Sequence, residues 1–246
     1  MNFSIILPTL NEEGHIVELI EEIKKNFRRK KNKYEIIIVD DNSKDNTVKN
    51  IKNYIGKKNN NIKIISRKGK KNLASSIQLG INKAKYDYLI WLDADFQHPP
   101  KYIKNFFTHV GKNEVVIFSR FLKKSIRYFD NKKFDKENNE NQSIMFNKIC
   151  NMLFYKDITD YTSGYICIKK DKIKRYKLKG FYGEYFLDLI IFCKKSKLKI
   201  KELPFTENIR KTGDSKTIGG SIPRYIIICS NYAISIMVNL IKKFFL

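Results

Sequence analysis

Asp93, Asp95 and Gln97 stand at alternate positions of residues 91–100, WLDADFQHPP. Carboxylate and amide carbonyl oxygens are hard donors that suit Mg²⁺ or Mn²⁺, ions that commonly bridge a protein to substrate phosphates rather than sit in an all-protein cage. If the chain stays extended here, the period-2 alternation of a strand sends all three side chains to one side. A solvated acidic turn is the competing reading of a lone DxD. Further along, Arg210 is followed at short range by Gly213, Ser215 and Lys216. Two cations on a glycine-containing loop suit a diphosphate as well as they suit solvent. His15, His98 and His109 show no acid or base partner in the sequence and read as structural or solvated.

These groups need a scaffold that brings them together. Residues 88–92 are a short apolar run that reads as a buried strand, so the carboxylates arrive where it ends. Runs at 3–7, 34–39, 62–65, 115–118 and 165–168 read as further strands, and 199–205 as an edge strand interrupted by Pro204. Between them, Ile16, Leu19, Ile20, Ile23 and Phe27 recur at helical spacing, as do Val48, Ile51 and Ile55, and Ile77 and Ile81 within 73–84. Thr9 and Asn11 offer helix caps, with Glu12 and Glu13 in a first turn. Helical patterns return at 144–153 and in the second half of 180–192. Strands alternating with helices predict an α/β doubly wound sheet with right-handed crossovers. Residues 8–12, 40–43 and 93–97 then lie at carboxyl ends of strands and converge on one crevice, where such sheets bind ligands. No GxGxxG follows the first strand and no GxxxxGK[ST] occurs, which excludes a dinucleotide enzyme and a P-loop NTPase. Phosphate must be held by metal and basic side chains. Residues 123–141, polar and aperiodic, carry Lys123, Lys124, Arg127, Lys132, Lys133 and Lys136 and read as a functional lid or a disordered segment.

The chain has 246 residues, enough for one large domain with or without an appendage, and a net charge of +24. Part of the lysine excess reflects an AT-rich coding bias. The remainder fits polyanions, phosphorylated substrates or an anionic membrane among them. No arginine-rich or aromatic-interleaved patch picks out nucleic acid. Cys150, Cys167, Cys193 and Cys229 lack CxxC spacing and read as reduced core thiols of a cytosolic protein. The N-terminal apolar run is strand-sized and carries no charged leader, so the chain is expected on the cytosolic side. Residues 222–241 are apolar over 20 positions, a length that could just cross a hydrocarbon core of ~30 Å. Arg224, Asn231, Ser235 and Asn239 nevertheless share one face, which favours an interfacial or partner-packed helix over a lone span. Lys242 and Lys243 suit the headgroup region.

Together these motifs resemble the family 2 glycosyltransferases, and within them the dolichol-phosphate mannosyltransferases. The resemblance runs from LPTLNEE at 7–13 and VDDNSKDNT at 39–47, through WLDADFQHPP and the pair Ser119 and Arg120, to DYTSGY from Asp160, ELPF from Glu202 and IRKTGDSK from Ile209. It implies a GT-A fold, Rossmann-like and mostly parallel, a nucleotide-sugar donor with GDP-mannose favoured, a divalent cation (Mg²⁺ or Mn²⁺) and a polyprenyl phosphate acceptor. By resemblance, Pro8, Leu10, Glu12, Val39 and Asp41 line the guanine and ribose pocket, with Asp93 and Ala94 beside ribose and sugar. Asp95 and Gln97 hold the metal on the diphosphate. Arg120, Arg210 and Lys216 meet the donor diphosphate and the acceptor phosphate, and Ser143 falls near the latter. Asp93, Asp95 and Arg120 form the implied catalytic set. The implied layout is a domain at 1–218 with a mobile acceptor loop at 121–143, then a membrane-associating helix at 219–246.

The sequence departs from that pattern in places. Leu10 stands where the mannosyltransferases usually carry tyrosine, and Asn139 where relatives carry an arginine. Asn72 replaces a glycine and Asp188 a glutamate. The long transmembrane extension of some relatives is missing, so membrane attachment rests on the final helix, a small membrane subunit, or both. The expected place is the cytosolic face of a membrane, that of the endoplasmic reticulum in a eukaryote or the plasma membrane in a prokaryote. A polyprenyl phosphate is already anionic, so its oxygen attacks the anomeric carbon without a general base, and direct displacement inverts that carbon. The nearest alternative is a UDP-glucose or other nucleotide-sugar transferase acting on undecaprenyl phosphate. The alternative of another class is an inactive basic protein on anionic membrane or nucleic acid.

Overall fold

The computed structural model describes residues 1–28, 32–56, 60–69, 71–127, 135–208 and 222–244. Nine strands are described: β1 (Phe3–Thr9), β2 (Tyr34–Asp40), β3 (Ile62–Ser66), β4 (Tyr88–Trp91), β5 (Val115–Ser119), β6 (Ile126–Arg127), β7 (Ile166–Lys169), β8 (Ile200–Pro204) and β9 (Thr206–Glu207). Seven of them form one sheet in the order β3-β2-β1-β4-β7-β5-β8, and β6 pairs with β9 apart from it. Both faces of the large sheet are covered, which is why its strands read as continuous apolar runs rather than alternating ones. Ile6, Ile37, Leu89, Trp91 and Ile117 pack toward one side, Phe3, Ile5, Ile36, Ile38 and Phe118 toward the other, all 0–1% exposed.

The helices are α1 (Ile16–Lys25), α2 (Thr47–Ile55), α3 (Leu73–Lys83), α4 (Ile103–His109), α5 (Asp135–Leu153), α6 (Lys170–Ile173), α7 (Glu184–Lys195) and α8 (Ile222–Phe244). Helix α3 begins at Asn72, whose side chain accepts the Ser75 N–H at 2.7 Å. An N-cap asparagine thus supplies a local reason for the residue found in place of glycine.

The sheet is parallel except at β7, which runs antiparallel to both β4 and β5. The expected crossover into this strand does not occur. Residues just before β7 are hydrogen-bonded to residues just after β5, so the chain enters β7 from the edge at which β5 ends. Other expectations are also corrected. Glu12 and Glu13 precede the first helix, which starts at Ile16. Helix α5 reaches back to Asp135, so the last part of the expected 121–143 loop is helical. Its opening turns, DKENNEN, carry no apolar stripe and therefore left no periodic signal. Cys150, Cys167 and Cys193 are buried thiols as expected, but Cys229 on α8 is exposed. The expected domain boundary after 218 lies outside the described residues.

Candidate active site

The loops after β1, β2 and β4 meet at one edge of the sheet and are tied together by main-chain groups. Asn11 N–H donates to Ser43 Oγ at 2.9 Å, Glu12 N–H to Thr47 Oγ1 at 2.7 Å, and Lys44 N–H to Asn11 Oδ1 at 2.8 Å. Each of the three loops contains one non-glycine residue in the left-handed region: Asn11 (φ 53°), Asn42 (φ 66°) and Phe96 (φ 68°). Asparagine adopts this conformation readily; for Phe96 it costs about 1–2 kcal/mol. Backbone strain of this kind persists where the surroundings over-determine it, commonly at functional sites.

Phe96 also explains why the extended reading of 93–97 fails. Strand β4 ends at Trp91 and the chain turns, so alternation does not align Asp93, Asp95 and Gln97. The turn instead folds Gln97 back, and its N–H donates to Asp95 Oδ1 at 2.9 Å. Asp95 is 3% exposed, whereas the Asp93 side chain is 45% exposed. His15 Nε2 lies 2.8 Å from the Ala94 carbonyl and 2.9 Å from Glu12 Oε2, joining the first loop to this turn. The acidic partner of His15 was thus three residues upstream in the sequence. His98 is buried, its Nδ1 accepts the Asp93 N–H at 3.0 Å, and its ring stacks on Tyr165. Burial holds its pKa below the usual imidazole range, so it stays neutral and fixes the turn. Among the described residues no three His, Cys, Asp or Glu side chains converge as a metal cage. Asp95, a buried carboxylate oriented by a main-chain N–H, fits a hard divalent cation that completes its shell with substrate oxygens.

Arg120 follows β5, and its guanidinium forms a bidentate pair with Asp160: Nε to Oδ2 and Nη2 to Oδ1, each 2.8 Å. Nη2 also donates to Thr162 Oγ1 at 2.6 Å, and the Arg120 main-chain N–H to Asp160 Oδ2 at 3.0 Å. Asp160 is fully buried. Burial disfavours both charges, but each partner's charge outweighs that, so Arg120 is held more basic and Asp160 more acidic than usual. Among the described residues, none accepts a bond from Nη1, the remaining arm of the fork. The His98 ring of the DAD turn stacks on Tyr165, and Ser163, two residues before Tyr165, donates to the carbonyl of Phe118, two residues before Arg120, so the DAD turn and the arginine pair share one site.

The other expected residues fall out unevenly. Pro8 lies within β1 opposite Val39 of β2, and Leu10 follows at the strand end. Val39 is 0% exposed and its side chain belongs to the core, not to the crevice. Asp41 is 7% exposed, with Oδ1 paired to Arg67 and Oδ2 accepting the Asn72 N–H at 2.6 Å. Its carboxylate anchors β3 and α3, which leaves it less free for ribose than the resemblance implies. Ser143 sits on α5, one turn before Asn147, whose Nδ2 shares Thr162 Oγ1 with Arg120 at 3.1 Å. Arg210 and Lys216 lie outside the described residues, as do Lys132 and Lys133. Sequence reasoning read His15 as structural or solvated and assigned no part to Arg67, Asp160, Thr162 or Glu202. DYTSGY and ELPF were the available signals for Asp160, Thr162 and Glu202, but neither motif says which partner they take.

Residues 4–177 match the model of the family described as glycosyl transferase family 2. The chain is 30% identical over 227 residues to a dolichol-phosphate mannosyltransferase of Pyrococcus furiosus, covering 92% of this chain and 62% of that protein. It is 26% identical over 234 residues to a dolichol-phosphate mannosyltransferase of Saccharomyces cerevisiae, covering 92% of this chain and 85% of the relative. In fold it is similar to glucosyl-3-phosphoglycerate synthase from Mycobacterium tuberculosis, crystallised with Mg²⁺ and uridine diphosphate. There the TM-score is 0.69 at 12% identity, over 97% of this chain and 79% of that one. With a matching family model across most of its sheet and a GT-A-like architecture, the chain belongs to glycosyl transferase family 2.

Proposed function

We propose that the protein is an inverting hexosyltransferase that moves mannose from GDP-mannose onto a polyprenyl phosphate such as dolichyl phosphate. The observation that carries this reading is the meeting of two opposite devices at one sheet edge. One is the buried Asp95 carboxylate on a strained turn; the other is Arg120, locked by Asp160 with Nη1 left over. A leaving diphosphate needs a cation on one side and a fixed guanidinium on the other. Asp95 and Gln97 are the residues that would hold Mg²⁺ or Mn²⁺, and the named relatives support the mannosyl and dolichyl parts. When bound, the cation neutralises charge on the departing diphosphate. This chain's own contribution is orientation: Arg120, with Arg210 and Lys216, holds phosphate oxygens, while Ser143 lies one helical turn from Asn147, whose Nδ2 donates to the Thr162 hydroxyl that Arg120 also holds. No histidine need act as base, since the acceptor phosphate is already ionised and His98 is buried and neutral.

Helix α8 supports a membrane location. Its outward face exposes Ile226, Ile227, Ile234, Met237 and Ile241, each between 52% and 60%. Its inner face meets α7 through Ser235 and Asn239, both 2.5 Å from Asp188 Oδ1. Crossing a bilayer would strip these polar partners from one another, so α8 is read as lying in the interface of the cytosolic leaflet. Incubation with GDP-[¹⁴C]mannose, Mg²⁺ or Mn²⁺ and dolichyl or undecaprenyl phosphate should yield labelled lipid that vanishes with Asp95→Ala. Absence of lipid product with every common nucleotide sugar would overturn the reading. Leu10, aliphatic where the mannosyltransferases usually have tyrosine, weakens the case for guanine, and the same assay run with a donor panel separates GDP-mannose from the alternative donor, UDP-glucose.

A further inference from the structure

Glu202 is a carboxylate for which the transfer chemistry has no use, on the edge strand β8 and largely enclosed. Its two oxygens accept a cluster of donors from one loop: Thr159 N–H at 3.1 and 3.0 Å, Thr159 Oγ1 at 2.8 Å and Asp160 N–H at 3.2 Å. Thr159 Oγ1 also lies 2.6 Å from Ser119 Oγ, and Ser119 immediately precedes Arg120. The next residue in the loop, Asp160, carries the bidentate bond to Arg120. We propose that Glu202 is a positioning residue for Arg120, clamping the Thr159–Asp160 main chain so that Asp160 presents the guanidinium in one orientation.

A clamp of this kind works only as an acceptor. An ionised carboxylate offers lone pairs to every donor around it, whereas a protonated one turns an O–H toward an N–H and loses part of the set. Burial, together with the nearby Asp160 charge, pushes the Glu202 carboxyl up to about 7. The groups around it are the Thr159 hydroxyl, which is bonded in turn to Ser119, Asp160 with its partner Arg120, and Tyr161, whose hydroxyl donates to the Tyr155 carbonyl. The clamp is therefore fully set above neutral pH and loosens as pH falls through about 7. Stability moves the other way. The folded carboxyl binds its proton more tightly than the unfolded one, so the contribution of Glu202 to stability is fully present below the ordinary glutamate range and declines as pH rises toward 7. Activity and stability change in opposite directions with the same proton.

The proposal rests on the transferase reading but has a readout of its own. In the full chain with polyprenyl phosphate, kcat/KM between about pH 5.5 and 8.5 should fall roughly tenfold on the acid side, the cost of a loosened guanidinium. E202Q, which places an amide N–H₂ against the Thr159 N–H, should sit near the lower level across the range, with kcat reduced more than the donor KM. Acceptor titration affects both proteins equally and cancels in the comparison. Independently of turnover, the Arg120 Nε–H signal in ¹⁵N-arginine spectra, assigned with R120K, should be protected from solvent exchange at pH 8 and lose protection below 7. In E202Q it should be unprotected throughout. If E202Q keeps the wild-type profile or the wild-type Nε–H protection, the positioning role is overturned. If the wild type transfers no sugar, the transferase reading fails while the exchange measurement still decides the role of Glu202.

Discussion

Asp160 carries a larger share of the site than any residue singled out from sequence, because it makes Arg120 a fixed cation instead of a mobile one. Replacing it with asparagine leaves a largely buried guanidinium without its counter-charge, a change that commonly costs about 3–5 kcal/mol. Urea denaturation of Asp160→Asn should show that loss, and transfer activity should fall with it. The pair also sets an acid limit. Asp160 titrates below its unfolded value, so its stabilisation is present above about pH 4 and is lost as pH falls through the lowered folded value. At Asp95 the expected readout is linkage: GDP should raise the melting temperature only when Mg²⁺ or Mn²⁺ is present. Asp95→Asn or added chelator should abolish that rise. Phe96 is the residue whose conformation defeated the alternation reading, since one left-handed residue after a strand reverses the direction in which the next side chains leave.

Among the elements, α8 is the one whose role depends most on its neighbours. By length and composition it passes as a membrane span, with mean hydropathy 1.3 over Ile226–Lys243. Its packing argues otherwise. Ile228, Ser235 and Asn239 are buried at 6–7%, and Tyr232 closes on Gly183 so tightly that a β-carbon there would lie 2.5 Å from the Tyr232 hydroxyl. Gly183→Ala should therefore lift α8 from α7 and lower the melting temperature. Ile234→Lys with Met237→Lys, on the outward face, should leave stability within about 0.5 kcal/mol of wild type. The same pair should strongly weaken flotation with liposomes. Unchanged flotation would remove α8 from the membrane contact.

At the scale of the whole molecule, the net charge of +24 adds a long-range attraction to anionic surfaces. Binding to vesicles rich in anionic lipid should weaken as salt rises from about 0.05 to 0.5 M, because screening shortens to a few ångströms. Binding held by the apolar face of α8 should remain.

Much of the architecture was legible in the chain. Seven strands and the helices α1, α2, α3 and α7 follow from apolar runs and periodicity, because local burial on a two-sided sheet is written into each segment; the short helices α4 and α6 left no such signal. The polar face of α8 was legible too, at Ser235 and Asn239. The partners were not. That Asp41 belongs to Arg67 and Asn72, that Val39 faces the core, that β7 runs against its neighbours and that α5 begins at Asp135 all depend on contacts between distant segments. The sequence by itself determined the fold class, the family and the placing of Asp95 at a strand end. Only the tertiary structure decided that Asp160 locks Arg120 and that Glu202 holds Asp160, because a hydrogen bond between residues about forty positions apart leaves no periodic trace in the chain that makes it.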